Sequence, residues 1–134
     1  MNAIDEEWTG EKVKCPILVS NYDETHAEVI KQLFERFGFE QVYSAWKPDE
    51  IIEIVMKVRP RIVIRDFNYP GMGGDVLTQK IKGVPGMEHV RQILFPPRGF
   101  GWEDSDEVLI ESPSLDYKVL AEYVREELKQ FEQE

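Results

Sequence analysis

Two groups of polar residues could do chemistry in this chain, and each directly follows an apolar segment. Asn21, Tyr22 and Asp23 follow CPILVS, while Asp66 follows RIVIR and has Asn68 two residues further on. Carboxylate and carbonyl oxygens are ligands that a hard cation such as Mg²⁺ prefers. A carboxylate can also attack a phosphoryl group, provided that nearby positive charge neutralises the reacting oxygens. No Ser-His-Asp or Cys-His arrangement can be argued from the sequence.

Other possible sites are weaker. The glycines of FNYPGMGG are followed by no GK[ST] and form no GxGxxG, so they do not indicate a nucleotide-binding loop. His26 and His89 are far apart in sequence, and we expect His26 to be a surface residue without companions. Cys15 is the only cysteine, which excludes a disulfide within the chain and a multi-cysteine metal site and fits a reducing cytoplasm.

Buried strands and amphipathic helices alternate along the chain. The apolar runs predict strands at 15–20, 41–45, 61–66, 91–95 and 108–111. The 3-and-4 spacing of apolar residues predicts four helices. The first ends near Phe37, and the second runs from Pro48 to before Pro60. The third runs from a cap at Asp75 to Lys82, and the fourth begins at Pro113 or Ser114. We expect Val76, Leu115 and Val119 to face inward. Residues 96–107 carry prolines, glycines and acids and are predicted to form a loop.

This alternation predicts an α/β fold with a doubly wound, five-stranded parallel sheet of order 2-1-3-4-5, as in flavodoxin. Ligands of such sheets bind beyond the carboxyl ends of the strands, where the winding reverses between the first and third strands. Asn21–Asp23 and Asp66 should therefore meet in one cleft. We expect residues 1–13 to form a flexible acidic arm and residues 14–134 to form a single domain.

The composition limits the partners. The 134 residues include 16 lysines and arginines against 26 aspartates and glutamates, a net charge of -10. Nucleic acids attract proteins that bring cations, so we expect no direct nucleic-acid binding. No apolar run is long enough to cross a membrane, and the acidic N-terminus lacks the apolar stretch of a secretory signal. We therefore expect a cytoplasmic protein without a membrane partner.

The segment RPRIVIRDFNYPGMGGDVLTQKIK resembles the receiver domain of bacterial two-component response regulators. The family pattern there is Arg-Pro, an apolar strand, an aspartate and then Met-Pro-x-Met-x-Gly, and the match is strong around Asp66, Pro70, Met72 and Gly74. The resemblance covers about 16–131. It implies that Asp66 is the phosphoacceptor.

The chain departs from this pattern at every auxiliary position. Receivers hold Mg²⁺ with two acids after the first strand, but these positions fall on Asn21 and Tyr22 here. The phosphate-binding hydroxyl after the fourth strand falls on Phe95 or Pro96, and the lysine after the fifth strand falls on Ser112. The segment between these two strands is also short, so the family's fourth helix is expected to be shortened or absent.

These losses indicate a degenerate receiver. We expect a stand-alone signalling module without enzymatic activity or a cofactor, which binds a kinase, a target or a copy of itself through the region of the fifth strand and last helix. The alternative is a working single-domain regulator phosphorylated on Asp66, in which Asp23 or Glu24 replaces the missing acids and Mg²⁺ is held by Asp66, the carbonyl of Asn68 and a displaced Asp23. A flavodoxin-like cofactor binder is a remote third possibility, because SNYDETH supplies hydroxyls but no glycine for a phosphate loop.

Overall fold

The computed structural model describes residues 10–96 and 109–132. The described residues form five parallel strands and four helices. The elements in chain order are β1 (Ile17–Ser20), α1 (Glu24–Arg36), β2 (Val42–Ala45), α2 (Pro48–Val58), β3 (Ile62–Arg65), α3 (Gly74–Lys82), β4 (Arg91–Leu94), β5 (Leu109–Glu111) and α4 (Tyr117–Glu132).

The sheet has the order β2-β1-β3-β4-β5, which confirms the predicted fold class. All four pairings are parallel, and Val19 on β1 lies opposite both Ser44 on β2 and Ile64 on β3. The carboxyl ends of β1 and β3 therefore meet at the same edge. Every predicted strand lies within two residues of its observed bounds. The expected shortening or loss of a helix between β4 and β5 concerns residues 97–108, which lie outside the described residues.

Apolar layers cover both faces of the sheet. Alternate strand residues point to opposite faces, so Ile17 and Val19 join the layer beneath α1 and α4, while Leu18 and Val63 join the layer beneath α2 and α3. Burial on both faces explains why the strands are continuously apolar rather than alternating.

Helix α3 begins differently from the prediction. Gly73 occupies the N-cap position, so Asp75 lies in the first turn and is not the cap. The side chain of Asn68 takes the capping role, because its Oδ1 accepts a 2.8 Å hydrogen bond from the Gly74 N–H. Val76 is exposed, contrary to expectation, since Leu77 and Ile81 define the buried side of this helix.

Helix α4 begins at Tyr117 rather than at Pro113 or Ser114. Asp116 precedes it, and its Oδ1 accepts a 2.8 Å hydrogen bond from the Lys118 N–H. This start places Leu120, Ala121, Val124 and Leu128 against the sheet. Leu115 therefore lies outside the helix with 69% of its surface exposed, and Val119 lies beside the buried face with 41% exposed, so their predicted burial is wrong.

The folded part includes the last residue of the expected arm. Val13 is buried, donates its N–H to the Gly38 carbonyl at 2.8 Å and accepts from the Glu40 N–H at 2.9 Å. The fold therefore begins at or before Val13, and residues 1–9 lie outside the described residues. Of the four helices in this part of the chain, none is long and apolar enough to span a lipid bilayer.

Candidate functional site

A cleft of about 570 Å³ opens at the edge where β1 and β3 end. Its walls come from the turn after β1, the first turns of α1 and the residues that follow β3 and β4. They are Asn21, Tyr22, Asp23, Thr25, His26, Val29, Asp66 and Pro96. The structure thus brings together the polar residues that the sequence placed after the first and third strands.

Asp66 is half-buried at the floor of this cleft. Its Oδ2 accepts a 2.9 Å hydrogen bond from the Tyr22 N–H, which ties the loop after β3 to the turn after β1. Burial raises the pKa of the Asp66 carboxyl above its usual value. The hydrogen bond from Tyr22 and the electrostatic influence of His26 and of the Arg65 guanidinium lower this pKa.

The Tyr69 hydroxyl binds the backbone N–H of Asp66, a role that the sequence analysis did not assign to Tyr69. Its hydroxyl lies 2.8 Å from the Ser20 Oγ and accepts a 3.2 Å hydrogen bond from the Asp66 N–H. The Tyr69 side chain is only 4% exposed, and burial raises the pKa of its hydroxyl to about 12. The neutral hydroxyl therefore joins the ends of β1 and β3. The sequence did carry one signal for this role, because position 69 is a tyrosine where the family pattern has a methionine.

The acidic and amide groups after β1 shape the start of α1. The buried Asn21 accepts the Asp23 N–H on its Oδ1 at 2.9 Å. Asp23 is the N-cap of α1 and accepts the His26 N–H on its Oδ1 at 3.0 Å. These oxygens satisfy backbone donors that would otherwise be unpaired at the helix start.

Few of the side chains around Asp66 could bind a metal ion. Across residues 10–96 and 109–132, no group of three or more His, Cys, Asp or Glu side chains is placed to hold a metal. Asp66 and Asp23 both line the cleft, but one carboxylate oxygen of each already accepts a backbone N–H. Metal binding by Asp66, Asp23 and Asn68 stays a prediction, and the Asn68 side chain is engaged at the start of α3.

The two positions that match the family's phosphate-binding groups carry a proline and a serine here, and neither supplies a cation. Pro96 lines the cleft and has neither a hydroxyl nor an N–H. Ser112 is buried at the end of β5, where its hydroxyl donates to the Ser114 carbonyl at 2.7 Å and lies 3.3 Å from the Ser114 N–H. The Ser112 hydroxyl is therefore used within the turn that leads to α4.

His26 is a surface residue, as expected, but it has a hydrogen-bonding companion, so the expectation that it lacks companions is wrong. Its Nε2 lies 2.7 Å from the Tyr117 hydroxyl, which links α1 to the first turn of α4. Tyr117 packs against Phe95 with ring centroids 4.8 Å apart. Burial and the Asp66 charge raise the pKa of Tyr117. His26 and Tyr117 are separated by 91 residues, so no local sequence pattern pairs them.

A parallel 2-1-3-4-5 sheet with an aspartate at the carboxyl end of its third strand is a doubly wound, flavodoxin-like α/β arrangement. No family model matches the chain, and no curated protein matches it either. Solved structures do match. The signal receiver domain of a signal transduction histidine kinase from Syntrophus aciditrophicus is 25% identical with a TM-score of 0.65, over 87% of this chain and 91% of that one.

Two further structures are similar over nearly their whole length. A chemotaxis response regulator of Vibrio cholerae is 13% identical with a TM-score of 0.68, over 86% of this chain and 98% of that one. The N-terminal domain of an uncharacterized Wolinella succinogenes protein is 18% identical with a TM-score of 0.69, over 90% of this chain and 99% of that one. The chain has the fold of response-regulator receiver domains.

Proposed function

We propose that this chain is a receiver-like signalling module that acts by binding another protein and does not need a phosphoryl group on Asp66. The partner is a kinase, a target or a second copy of the chain. One observation carries this proposal. None of the residues described as lining the Asp66 cleft is a lysine or arginine, and its other carboxylate, Asp23, caps α1.

The electrostatics of phosphoryl transfer support this proposal. A carboxylate that attacks a phosphoryl group brings negative charge towards a negative centre, so the transition state needs cations and donors around it. Removing a single such group commonly slows a reaction by about tenfold or more. The positions of two acids, one hydroxyl and one lysine are altered here. Their combined loss would leave Asp66 a poor phosphoacceptor.

A surface beside the cleft fits the proposed role in partner binding. Leu115 and Val119 present apolar side chains at the start of α4. Val29 on α1 is 45% exposed and also lines the cleft. The His26–Tyr117 hydrogen bond joins the two helices. We propose that this region contacts the partner.

We also propose that the protein is located in the cytoplasm, because its single cysteine fits a reducing compartment.

A working regulator phosphorylated on Asp66 is the second candidate. It is favoured by the half-exposed position of Asp66 in an open cleft and by the motif match at Pro70, Met72 and Gly74. In that case Mg²⁺ would be held by Asp66, the carbonyl of Asn68 and Asp23.

Intact-mass measurement after incubation with acetyl phosphate and MgCl₂ separates the two candidates. We expect the parent chain to keep its mass, as Asp66→Ala does, while a conventional receiver domain treated in parallel gains a phosphoryl group. A stoichiometric gain in the parent that is lost in Asp66→Ala would contradict the proposal and establish the second candidate.

Partner binding tests the positive half of the proposal. A signalling protein captured on the immobilised chain, once identified and purified, should bind the parent and Asp66→Asn with the same affinity. Binding that requires acetyl phosphate, or that is lost in Asp66→Asn, would refute a phosphate-independent interaction.

A further inference from the structure

Arg65 is a cation buried inside the domain. It is the last residue of β3, its exposed fraction is 0%, and it is the largest fully buried side chain among the residues that the structure describes. Neighbouring strand residues point to opposite faces, so Arg65 extends towards α3 while Asp66 lies at the cleft. An arginine in an otherwise apolar strand requires compensation, because burying an unpaired charge is strongly unfavourable.

Backbone carbonyls of the loop after β3 supply much of this compensation. Nη1 of Arg65 donates to the Asp66 carbonyl at 2.9 Å and to the Phe67 carbonyl at 3.1 Å. Nη2 donates to the Gly74 carbonyl, in the first turn of α3, at 3.5 Å. One side chain therefore holds both ends of the segment that joins β3 to α3.

Two neutral side chains complete the set. Nε of Arg65 donates to Gln92 Oε1 on β4 at 3.0 Å, and Nη2 also donates to Thr78 Oγ1 on α3. All five N–H donors of the guanidinium are thus used, and the described acceptors are neutral oxygens. Thr78 and Gln92 are themselves buried, at 4% and 0% exposure.

The guanidinium suits this position better than any other cationic group. Its planar fork has a fixed geometry, so acceptors placed around it are held in fixed directions. Burial lowers the pKa of Arg65 to about 10, and the group therefore remains a cation at neutral pH.

We infer that Arg65 is an internal cationic clamp that fixes the loop between β3 and α3, and with it the position of Asp66, without a bound metal ion. Arg65 is accordingly a positioning residue that acts through the loop backbone. The clamp consists of Arg65 and the loop backbone, so the Arg65 substitutions test it separately from the proposed function. Its independence of a metal ion, in contrast, rests with the proposed function on the expectation that the cleft does not hold Mg²⁺.

Amide hydrogen exchange of the full chain, followed by NMR, measures the clamp directly. The informative amides are those of Asp66, Tyr69, Met72 and Gly74, each of which is hydrogen-bonded within the loop region. We expect their exchange in the parent to be unchanged by millimolar MgCl₂. Marked slowing of these amides by MgCl₂ would show that the loop needs a metal and would overturn the inference.

Two substitutions of Arg65 distinguish a clamp from simple space-filling. Arg65→Met removes the charge and every donor, and we expect the loop amides to exchange at least about tenfold faster relative to those of β1. Arg65→Lys keeps the charge and part of the hydrogen bonding, so its loop amides should exchange more slowly than those of Arg65→Met. The opposite order, or no change in either variant, would contradict the clamp. Arg61→Met, at an exposed arginine just before β3, is the matched control.

A third variant allows the clamp to be tested even if Arg65→Met does not fold. Arg65→Met combined with Thr78→Val and Gln92→Leu replaces the buried polar side chains by apolar ones, which often restores stability lost with a buried charge. The loop carbonyls still lack their donor in this triple variant. We therefore expect fast loop exchange within a stable sheet, and loop exchange equal to that of the parent would refute the clamp.

Discussion

Replacing Tyr69 by phenylalanine removes the hydroxyl that joins the ends of β1 and β3. The hydroxyl lies 2.8 Å from the Ser20 Oγ and 3.2 Å from the Asp66 nitrogen. Ser20 is 1% exposed and Tyr69 is 4% exposed, so water has little access to the groups left behind. The aromatic ring is retained, and the perturbation is confined to these two hydrogen bonds.

The expected loss of stability follows from these contacts. A neutral hydrogen bond contributes about 0.5–1.5 kcal/mol net, and a buried donor or acceptor left without a partner costs about 1–3 kcal/mol. The Asp66 N–H is only partly buried, and its bond to Tyr69 is the longer of the two. We therefore expect Tyr69→Phe to lower the free energy of unfolding by about 1.5–3 kcal/mol.

Urea unfolding followed by tryptophan fluorescence provides the assay. The matched control is Tyr22→Phe, because Tyr22 is 58% exposed and loss of an exposed hydroxyl usually changes stability by less than about 0.5 kcal/mol. Ser20→Ala combined with Tyr69→Phe should show a coupling energy of about 0.5–1.5 kcal/mol, as expected for groups in contact. Equal stability of Tyr69→Phe and Tyr22→Phe, or strict additivity in the double variant, would refute the reasoning.

Three further outcomes can be measured by urea unfolding. Gly74→Ala would place a Cβ on the ring of Phe67 and should cost about 1–3 kcal/mol, whereas Gly73→Ala meets no atom within 4 Å and should cost less. Burial raises the pKa of Asp66, so the folded chain binds this proton more tightly than the unfolded chain. Its ionisation therefore reduces stability as pH rises from the unfolded value of about 3.9 through the raised folded value. Asp66→Asn should consequently be more stable than the parent at pH 7, with the difference shrinking at low pH, and the reverse trend would contradict this assignment. Phe34→Ala empties a fully buried position and should cost about 3–5 kcal/mol, while a loss below about 1 kcal/mol would contradict the described core.

The strand order and the position of Asp66 were predictable because they depend on local patterns. Continuous apolar runs mark strands that are buried on both faces, and alternation with helices restricts how such strands connect. The carboxyl ends of β1 and β3 then have to meet. This is why Asn21, Tyr22, Asp23 and Asp66 were expected in one cleft and are found there.

The contacts around Asp66 were not predictable in the same way, since they join residues far apart in sequence. Tyr117 lies 91 residues from His26, and Gln92 lies 27 residues from Arg65. The signal for the second pair was present in the composition of the strands. An arginine and a glutamine inside apolar strands have to find polar partners, but their types alone do not say which residues those partners are.

Errors at the helix ends have a similar cause. Asp75 has a suitable type for an N-cap, but Asn68 captures the Gly74 N–H from outside the helix. The start of α4 was placed too early because Pro113 and Ser114 are both suitable first residues, whereas Asp116 provides the side-chain bond to the helix backbone. Propensity alone does not rank such competing caps.

Magnesium binding at Asp66 tests the central claim most directly. A titration of MgCl₂ into the ¹⁵N-labelled chain, with the amide signals of Tyr22 and Asp66 as reporters, measures the affinity of the cleft for the ion. We expect no saturable shift at millimolar Mg²⁺, and the parent should behave like Asp66→Asn. Saturable binding in the parent that disappears in Asp66→Asn would show that the cleft holds the cation, and the proposed loss of phosphoacceptor function would then be wrong.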